Sequence, residues 1–198
     1  MLTTEHDITE IDKYFITPDY SFYNSRKYFY IIENILDNDV KLLQFRSKNI
    51  SSNEYSKISK KIFKICEKYN AIYIINDYCN IKHNEFCHGI QLTAKNLLNL
   101  KKLNLKKNYY YFGSCHNSQE INICNNSDLI KMILISPINN TNHKKGIGWK
   151  EFNNLANLSH KKVMALGGLN YEKDIKKVKK NGGSGVAASS YFFELYYL

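Results

Sequence analysis

Lys41-Leu42-Leu43-Gln44-Phe45-Arg46-Ser47-Lys48 runs from apolar residues into cations, and Ala71-Ile72-Tyr73-Ile74-Ile75-Asn76-Asp77 runs from apolar residues into an amide and a carboxylate. Between them, Ser52-Asn53-Glu54 opens a helical pattern in which Ile58, Ile62, Ile65 and Cys66 recur at helical spacing. Apolar run, amphipathic helix and apolar run together spell a βα unit, because parallel neighbouring strands need a crossover long enough to hold a helix. The same alternation extends outward in both directions. Tyr14-Phe15-Ile16 precedes the pair; Gly89-Ile90-Gln91-Leu92, Tyr110-Tyr111-Phe112, Ile130 to Ile135, Lys162-Val163-Met164-Ala165 and Gly185-Val186-Ala187-Ala188 follow it. That makes about eight strands, the count that closes a (β/α)8 TIM barrel. Tyr171 to Lys180 reads as another helix, stopped by Asn181-Gly182-Gly183, while Cys79 to His88 is poor in apolar residues and predicts a short or irregular helix. An open doubly wound sheet is the alternative; strand count and even spacing favour the barrel.

Composition narrows the class. The 198 residues suit one domain, and 43% of them are hydrophobic, as in a soluble globular protein. No stretch approaches a membrane-spanning helix, and Met1 to Asp7 carries neither a basic nor an apolar signal region, so a cytoplasmic location is expected. The five cysteines, Cys66, Cys79, Cys87, Cys115 and Cys124, are odd in number with no CxxC pair; idle thiols are expected rather than disulfides or structural zinc. The net charge of +10 is spread through pairs such as Lys101-Lys102 and Lys179-Lys180 on expected solvent faces. The charge suggests polyanions in general, and solvated faces outweigh a nucleic-acid footprint, so neither nucleic acid nor membrane is expected as partner; small phosphorylated ligands are expected from the strand-end residues and the resemblance that follow.

The polar residues gather at strand ends. Side chains alternate along a strand, so Gln44, Arg46 and Lys48 are expected to share one face, and an amide with two cations suits a pyrophosphate. Arginine occurs only at positions 26 and 46 in a lysine-rich chain, which argues for bidentate geometry at Arg46. The same segment reads equally as a strand end with two solvated cations. Asp77 is placed to hold Mg²⁺ beside a phosphate, or merely starts a turn with Asn76. His116, after Gly113-Ser114-Cys115, is a candidate general acid or base, or a solvated residue in a capping segment. Gly167-Gly168 and Ala188-Ser189 put small residues where late barrel loops hold phosphate through backbone N–H groups; a tight turn is the plainer reading.

With these residues laid out, the chain resembles the thiamine-phosphate synthase and TenI-like thiazole tautomerase superfamily over Tyr14 to Phe192. Gln44-Phe45-Arg46-Ser47-Lys48 matches its Q-x-R-x-K motif, Ile75-Asn76-Asp77 its I-N-D, and Ser114-Cys115-His116 its S-x-H. Leu166-Gly167-Gly168 and Gly185-Val186-Ala187 resemble its phosphate-site motifs. Ser136-Pro137-Ile138 and Thr141 to Trp149 resemble a variant branch often fused to Nudix domains, for which this chain has no room. The resemblance implies one barrel domain over residues 1–198, with residues 1–12 as an N-terminal extension.

It also implies chemistry: coupling of hydroxymethylpyrimidine pyrophosphate to thiazole phosphate with release of pyrophosphate. Arg46 and Lys48 would grip the pyrophosphate, Gln44 the pyrimidine, and Asn76 and Asp77 the Mg²⁺ and phosphates. Ser114, Thr141, Lys144, Gly167, Gly168 and the backbone at Ala188 and Ser189 would hold substrate and its phosphate. Three positions depart from the pattern. Gln91 stands for a histidine, His143 for a threonine, and Asn96 for the second Mg²⁺ carboxylate, implying a weakened metal site. The resemblance offers two alternatives: a metal-independent thiazole tautomerase using His116, and a non-catalytic thiamine-pathway protein that keeps the phosphate pocket.

Overall fold

In the structure, a computed structural model that describes residues 7–77, 79, 86–142 and 144–197, the strands close into a parallel barrel in sequence order. They are β1 (Lys13–Ile16), β2 (Leu42–Phe45), β3 (Ile72–Asn76), β4 (Gly89–Leu92), β5 (Tyr110–Cys115), β6 (Ile130–Ile135), β7 (Lys162–Leu166) and β8 (Gly185–Ala188). β8 returns to β1 with Lys13 opposite Val186, Tyr14 opposite Ala187 and Phe15 opposite Ala188. Closure leaves no unpaired edge and excludes the open sheet.

The connections carry α1 (Ser25–Asp37), α2 (Ser52–Lys68), α3 (Ala94–Leu98), α4 (Ser118–Asn125), α5 (Gly148–Ala156), α6 (Tyr171–Lys180) and α7 (Ser190–Glu194). The abundant asparagines find a use here. Asn24, Asn117 and Asn170 cap the starts of α1, α4 and α6 with side-chain oxygens, and Ser51 and Thr93 do the same for α2 and α3. The helix expected between Cys79 and His88 falls mainly on residues 80–85, outside the described ones, as does His143.

Strand alternation sorts the core into two layers. Phe15, Leu43, Phe45, Tyr73, Ile75, Ile90, Tyr111, Ile133 and Val186 face outward onto helix residues such as Ile32, Ile62 and Phe152. Tyr14, Ile16, Leu42, Ile72, Ile74, Phe112, Met132, Leu134, Met164 and Ala187 fill the barrel itself. Each fully buried Ile or Phe is worth roughly 1.5–3 kcal/mol relative to exposure, so the interior is a packed plug and not a pore.

Two boundaries matter for the site. β2 ends at Phe45, so Arg46 and Lys48 ride on the loop that follows and strand alternation does not fix their direction. β5 runs on to Cys115, past the expected Tyr110-Tyr111-Phe112, which places Ser114 inside the strand and His116 directly at its exit. All strands being parallel, Arg46, Asp77, His116, Thr141, Gly168 and Ser189 emerge at the same, C-terminal end of the barrel.

Candidate active site at the barrel mouth

The floor of the mouth is a chain of amides lying on the apolar plug. Asn76 Nδ2 donates to Gln44 Oε1 at 2.9 Å, and Gln44 Nε2 donates to the Tyr14 hydroxyl at 2.8 Å. Tyr14 donates onward to Gln91 Oε1 at 3.3 Å, and Gln91 Nε2 donates to Ser114 Oγ at 2.9 Å. Gln44 and Gln91 are buried, and among the described residues no buried side-chain nitrogen or oxygen lacks a partner. Burial raises the Tyr14 phenol well above its ordinary pKa, against the opposing donation from Gln44, and keeps it a neutral donor. The glutamine at position 91 thus bridges tyrosine and serine through both ends of its amide. Gln44 is held in place by its amide, committed to Tyr14 and Asn76.

The cationic rim is held by a carboxylate from the neighbouring unit. Asp19, three residues past β1, accepts the backbone N–H of Lys48 at 2.7 Å and of Asn49 at 3.3 Å through Oδ2. Its Oδ1 accepts the Ser47 hydroxyl at 2.8 Å and the Ser21 hydroxyl at 2.8 Å. Partial burial pushes the Asp19 pKa up, but the donations from Lys48, Ser47 and Ser21 outweigh it and bring the group to about 2. Thr17 Oγ1 accepts the Arg46 backbone N–H at 3.1 Å. With the backbone anchored, the Arg46 and Lys48 side chains stay exposed and form no ion pair among the described residues.

Asp77 follows β3 in a left-handed conformation, φ 73°. Its backbone N–H bonds to the Gln91 carbonyl at 2.9 Å, and its Oδ1 accepts the Cys79 N–H at 3.2 Å. The turn is thus present, and it sits at the C-terminal exit of β3. Asn96 does something else. Its Oδ1 accepts both the N–H and the hydroxyl of Thr93, at 3.0 and 2.9 Å, in a capping box at the start of α3. Among the described residues no cluster of three His, Cys, Asp or Glu side chains could hold a metal. Mg²⁺ keeps several waters and takes one or two carboxylates plus substrate phosphates. The donor set of Asp77 beside Asn76 therefore fits a metal ion that arrives with a phosphorylated ligand, and does not fit a dedicated protein cage.

Across the mouth, His116 sits between a buried carboxylate and a lysine. Glu120 Oε2 accepts the His116 backbone N–H at 2.5 Å and lies 3.2 Å from ring Nδ1. Lys144 Nζ lies 3.5 Å from ring Nε2. Thr141 and Lys144 close a turn: the Thr141 N–H donates to the Lys144 carbonyl at 2.9 Å, and Thr141 Oγ1 accepts the Lys144 N–H at 3.1 Å. Cys115 beside His116 faces away, fully buried with its sulfur 3.6 Å from that of Cys124. Cys124's contact and burial push the Cys115 thiol far up, which leaves no thiolate nucleophile here.

The late loops meet beside Lys144. Asn139 N donates to the Gly167 carbonyl at 3.1 Å, and Asn139 Nδ2 to the Gly168 carbonyl at 2.8 Å. Gly167 (φ 111°) and Gly168 (φ 63°) both lie in the left-handed region, and a Cβ on Gly167 would stand 2.6 Å from Pro137 Cβ. Glycine is required by the turn itself, and Gly168 remains exposed. The Ala188 side chain packs in the outer layer, so of Ala188 only the backbone can serve a ligand.

The sequence reading passed over Asp19, Tyr14, Glu120 and Asn139 as working parts. Glu120 had a signal: it stands three residues after the cap Asn117, where an acceptor is expected to reach back. A hollow of about 870 Å³ between α1 and α2, lined by Arg26, Phe29, Tyr30 and Lys61, lies away from all of these groups, and Lys61 already covers the Phe29 ring at 3.9 Å.

Comparison with known proteins agrees with this geometry. The family profile described as thiamine monophosphate synthase matches residues 13–192. The putative thiamine-phosphate synthase 2 of Aquifex aeolicus is 28% identical over 166 residues, covering 82% of this chain and 88% of that protein. The thiamine-phosphate synthase of Fusobacterium nucleatum is 25% identical over 181 residues, covering 90% and 87%. Among solved structures, thiamine phosphate pyrophosphorylase from Pyrococcus furiosus superposes with a TM-score of 0.76 at 17% identity over 96% of each chain, a likeness of fold.

Proposed function

Because the chain belongs to the thiamine monophosphate synthase family, we propose that it couples hydroxymethylpyrimidine pyrophosphate to thiazole phosphate, releasing pyrophosphate. Its place in thiamine biosynthesis follows from the family. The site assignment rests on one observation above the others: Arg46 and Lys48 are exposed and form no ion pair among the described residues, on a clamped loop at the same rim as Asp77, above a floor of committed amides.

In this reading Arg46 makes a bidentate contact to the pyrophosphate and Lys48 a second charge contact. Asn76 and Asp77 would hold Mg²⁺ together with the substrate's oxygens, and the ion would supply positive charge beside the pyrophosphate. The pyrimidine ring lies on the Gln44 and Gln91 floor, where the fixed amides orient it. The C–O bond to pyrophosphate breaks, and the thiazole nitrogen takes the pyrimidine cation. Lys144, Thr141, Gly167, Gly168 and the Ala188-Ser189 backbone hold the thiazole phosphate on the opposite rim. Ser114, tied to Gln91, and His116 face the space between. The free buried thiols suit a reducing, cytoplasmic setting.

A second reading has its own observation. The His116 ring lies between Glu120 and Lys144, an arrangement fit for proton transfer and so for aromatisation of a thiazole precursor. Incubating the purified chain with both substrates and Mg²⁺, and following thiamine phosphate by mass spectrometry, separates the two. Thiamine phosphate that depends on Arg46 and Asp77 supports the synthase. No coupling at any Mg²⁺ concentration, with aromatisation that requires His116, moves the assignment to the tautomerase.

A further inference from the structure

We propose that Glu120 is a positioning residue: it holds His116 in the Nδ1–H tautomer and leaves ring Nε2 as a proton acceptor directed at Lys144. The inference rests on the reading of the mouth as the active site. In a capping box the third-turn-position carboxylate returns to the N–H of the cap residue itself. Here Asn117 caps α4 and accepts the Glu120 N–H at 3.0 Å, but the Glu120 carboxylate overshoots the cap and bonds the residue before it. That one-residue displacement brings the same oxygen, Oε2, to both the backbone nitrogen and ring Nδ1 of His116.

The donor and acceptor roles then follow from chemistry. An ionised carboxylate only accepts, so an Nδ1 contact requires a hydrogen on Nδ1. An ammonium only donates, so the Lys144 contact at 3.5 Å requires a lone pair on Nε2. The neutral Nδ1–H imidazole satisfies both neighbours at once. The other tautomer opposes a lone pair to the carboxylate and a donor to the ammonium; the doubly protonated ring sets two cations against each other. The Glu120 side chain is 10% exposed against 31% for His116, so the orienting bond is sheltered while the working edge of the ring reaches the mouth. A proton accepted at Nε2, from Lys144 or from a bound ligand, yields an imidazolium whose charge Glu120 offsets; the donor is left one proton poorer, and no other group changes.

The test reads the ring directly. Two-bond ¹⁵N–¹H correlation spectra of the uniformly labelled full chain report which ring nitrogen bears hydrogen, and the His116 signals are assigned by their loss in His116→Gln. We expect His116 as the Nδ1–H form in the parent chain and a loss of that preference in Glu120→Ala. The kcat of whichever reaction requires His116 should fall roughly tenfold or more in Glu120→Ala with KM little changed, since a carboxylate that sets a histidine tautomer acts on turnover. Glu120→Gln, which keeps an acceptor oxygen and the cap, should recover most of the loss. An Nε2–H ring in the parent chain, or an unchanged tautomer in a folded Glu120→Ala, overturns the proposal. Should Glu120→Ala not fold, the parent spectrum and Glu120→Gln still decide it. A parent chain that lacks coupling yet shows the Nδ1–H ring defeats the synthase reading and leaves the positioning role standing.

Discussion

The Asp19 carboxylate, at the exit of β1, accepts the backbone N–H of Lys48, at the exit of β2, at 2.7 Å. The bond joins two βα units at the rim and fixes the loop that presents both candidate pyrophosphate cations. Asp19→Ala removes the acceptor for Lys48, Asn49, Ser47 and Ser21 together. The expected outcome is a KM for the pyrimidine pyrophosphate raised about tenfold or more, with the KM for thiazole phosphate little moved, because the loops after β6 and β7, proposed to hold that phosphate, are stitched independently by Asn139. Steady-state kinetics with each substrate varied in turn checks this.

The same residue predicts an acid dependence. Its folded pKa, about 2, lies below the ordinary carboxylate value, so it contributes stability that is fully present above about pH 4 and lost as pH falls toward 2. Allowing for solvent screening, the contribution is on the order of 1 kcal/mol. Urea unfolding of the parent chain and Asp19→Asn at pH 7 and at low pH should show the gap between them narrowing on acidification. A gap that widens instead would remove the hydrogen-bond account of the clamp.

Arg46 should matter to phosphate binding far more than the exposed lysines. Arg46→Lys keeps the charge and loses the two-pronged contact, and inorganic pyrophosphate should bind about tenfold more weakly by calorimetry. Lys101→Ala with Lys102→Ala, on the surface turn after α3, should change affinity by less than about threefold and only at low salt. Equal effects would place the ligand on the general basic surface.

The floor network should behave as one unit. Gln91→Leu removes the acceptor for the Tyr14 hydroxyl and the donor to Ser114 Oγ, and should destabilise the fold by about 1–3 kcal/mol in denaturant unfolding. Adding Tyr14→Phe should cost less than the sum of the single effects, since the partner is already lost. Strict additivity would show that the bonds are not coupled.

Which parts of this were legible in the sequence depends on how local their cause is. The barrel was, because apolar runs and capped helices are written within single segments, and the mouth was, because polar residues cluster where those strands end. The Asp19 clamp was not: it joins side chain to backbone across two units about thirty residues apart, and no spacing rule connects them. Asn96 shows the opposite failure. Its place in the family pattern points to the metal, whereas Thr93-Ala94-Lys95-Asn96 has the spacing of a capping box, and the structure uses it as one. The expected shared face of Gln44, Arg46 and Lys48 also fails, because β2 ends at Phe45 and the backbone of Lys48 bonds the Asp19 side chain instead of continuing the strand.

That capping role shapes the last prediction, which concerns the metal. Of the rim carboxylates Asp19 and Asp77, Asp19 is committed to the Ser47, Lys48 and Asn49 donors, which leaves Asp77 for a metal, and Asn96 is turned toward Thr93. A synthase built this way relies on Asp77 and the substrate's own oxygens to hold Mg²⁺. Asp77→Ala should therefore abolish coupling at low Mg²⁺ and recover part of it as Mg²⁺ is raised into the millimolar range. Asn96→Asp should leave the Mg²⁺ dependence nearly unchanged, because an aspartate there still reaches back to the Thr93 N–H. Titrating Mg²⁺ in the coupling assay with both variants reads the two effects side by side. A sharp fall in the Mg²⁺ requirement for Asn96→Asp would mean the side chain leaves the cap to join the metal. His116→Ala divides the readings in the same experiment. If only aromatisation is lost and coupling persists, Lys144 and the glycine loops hold the thiazole phosphate without help from the ring; if coupling also fails, proton transfer at His116 belongs to the synthase reaction itself.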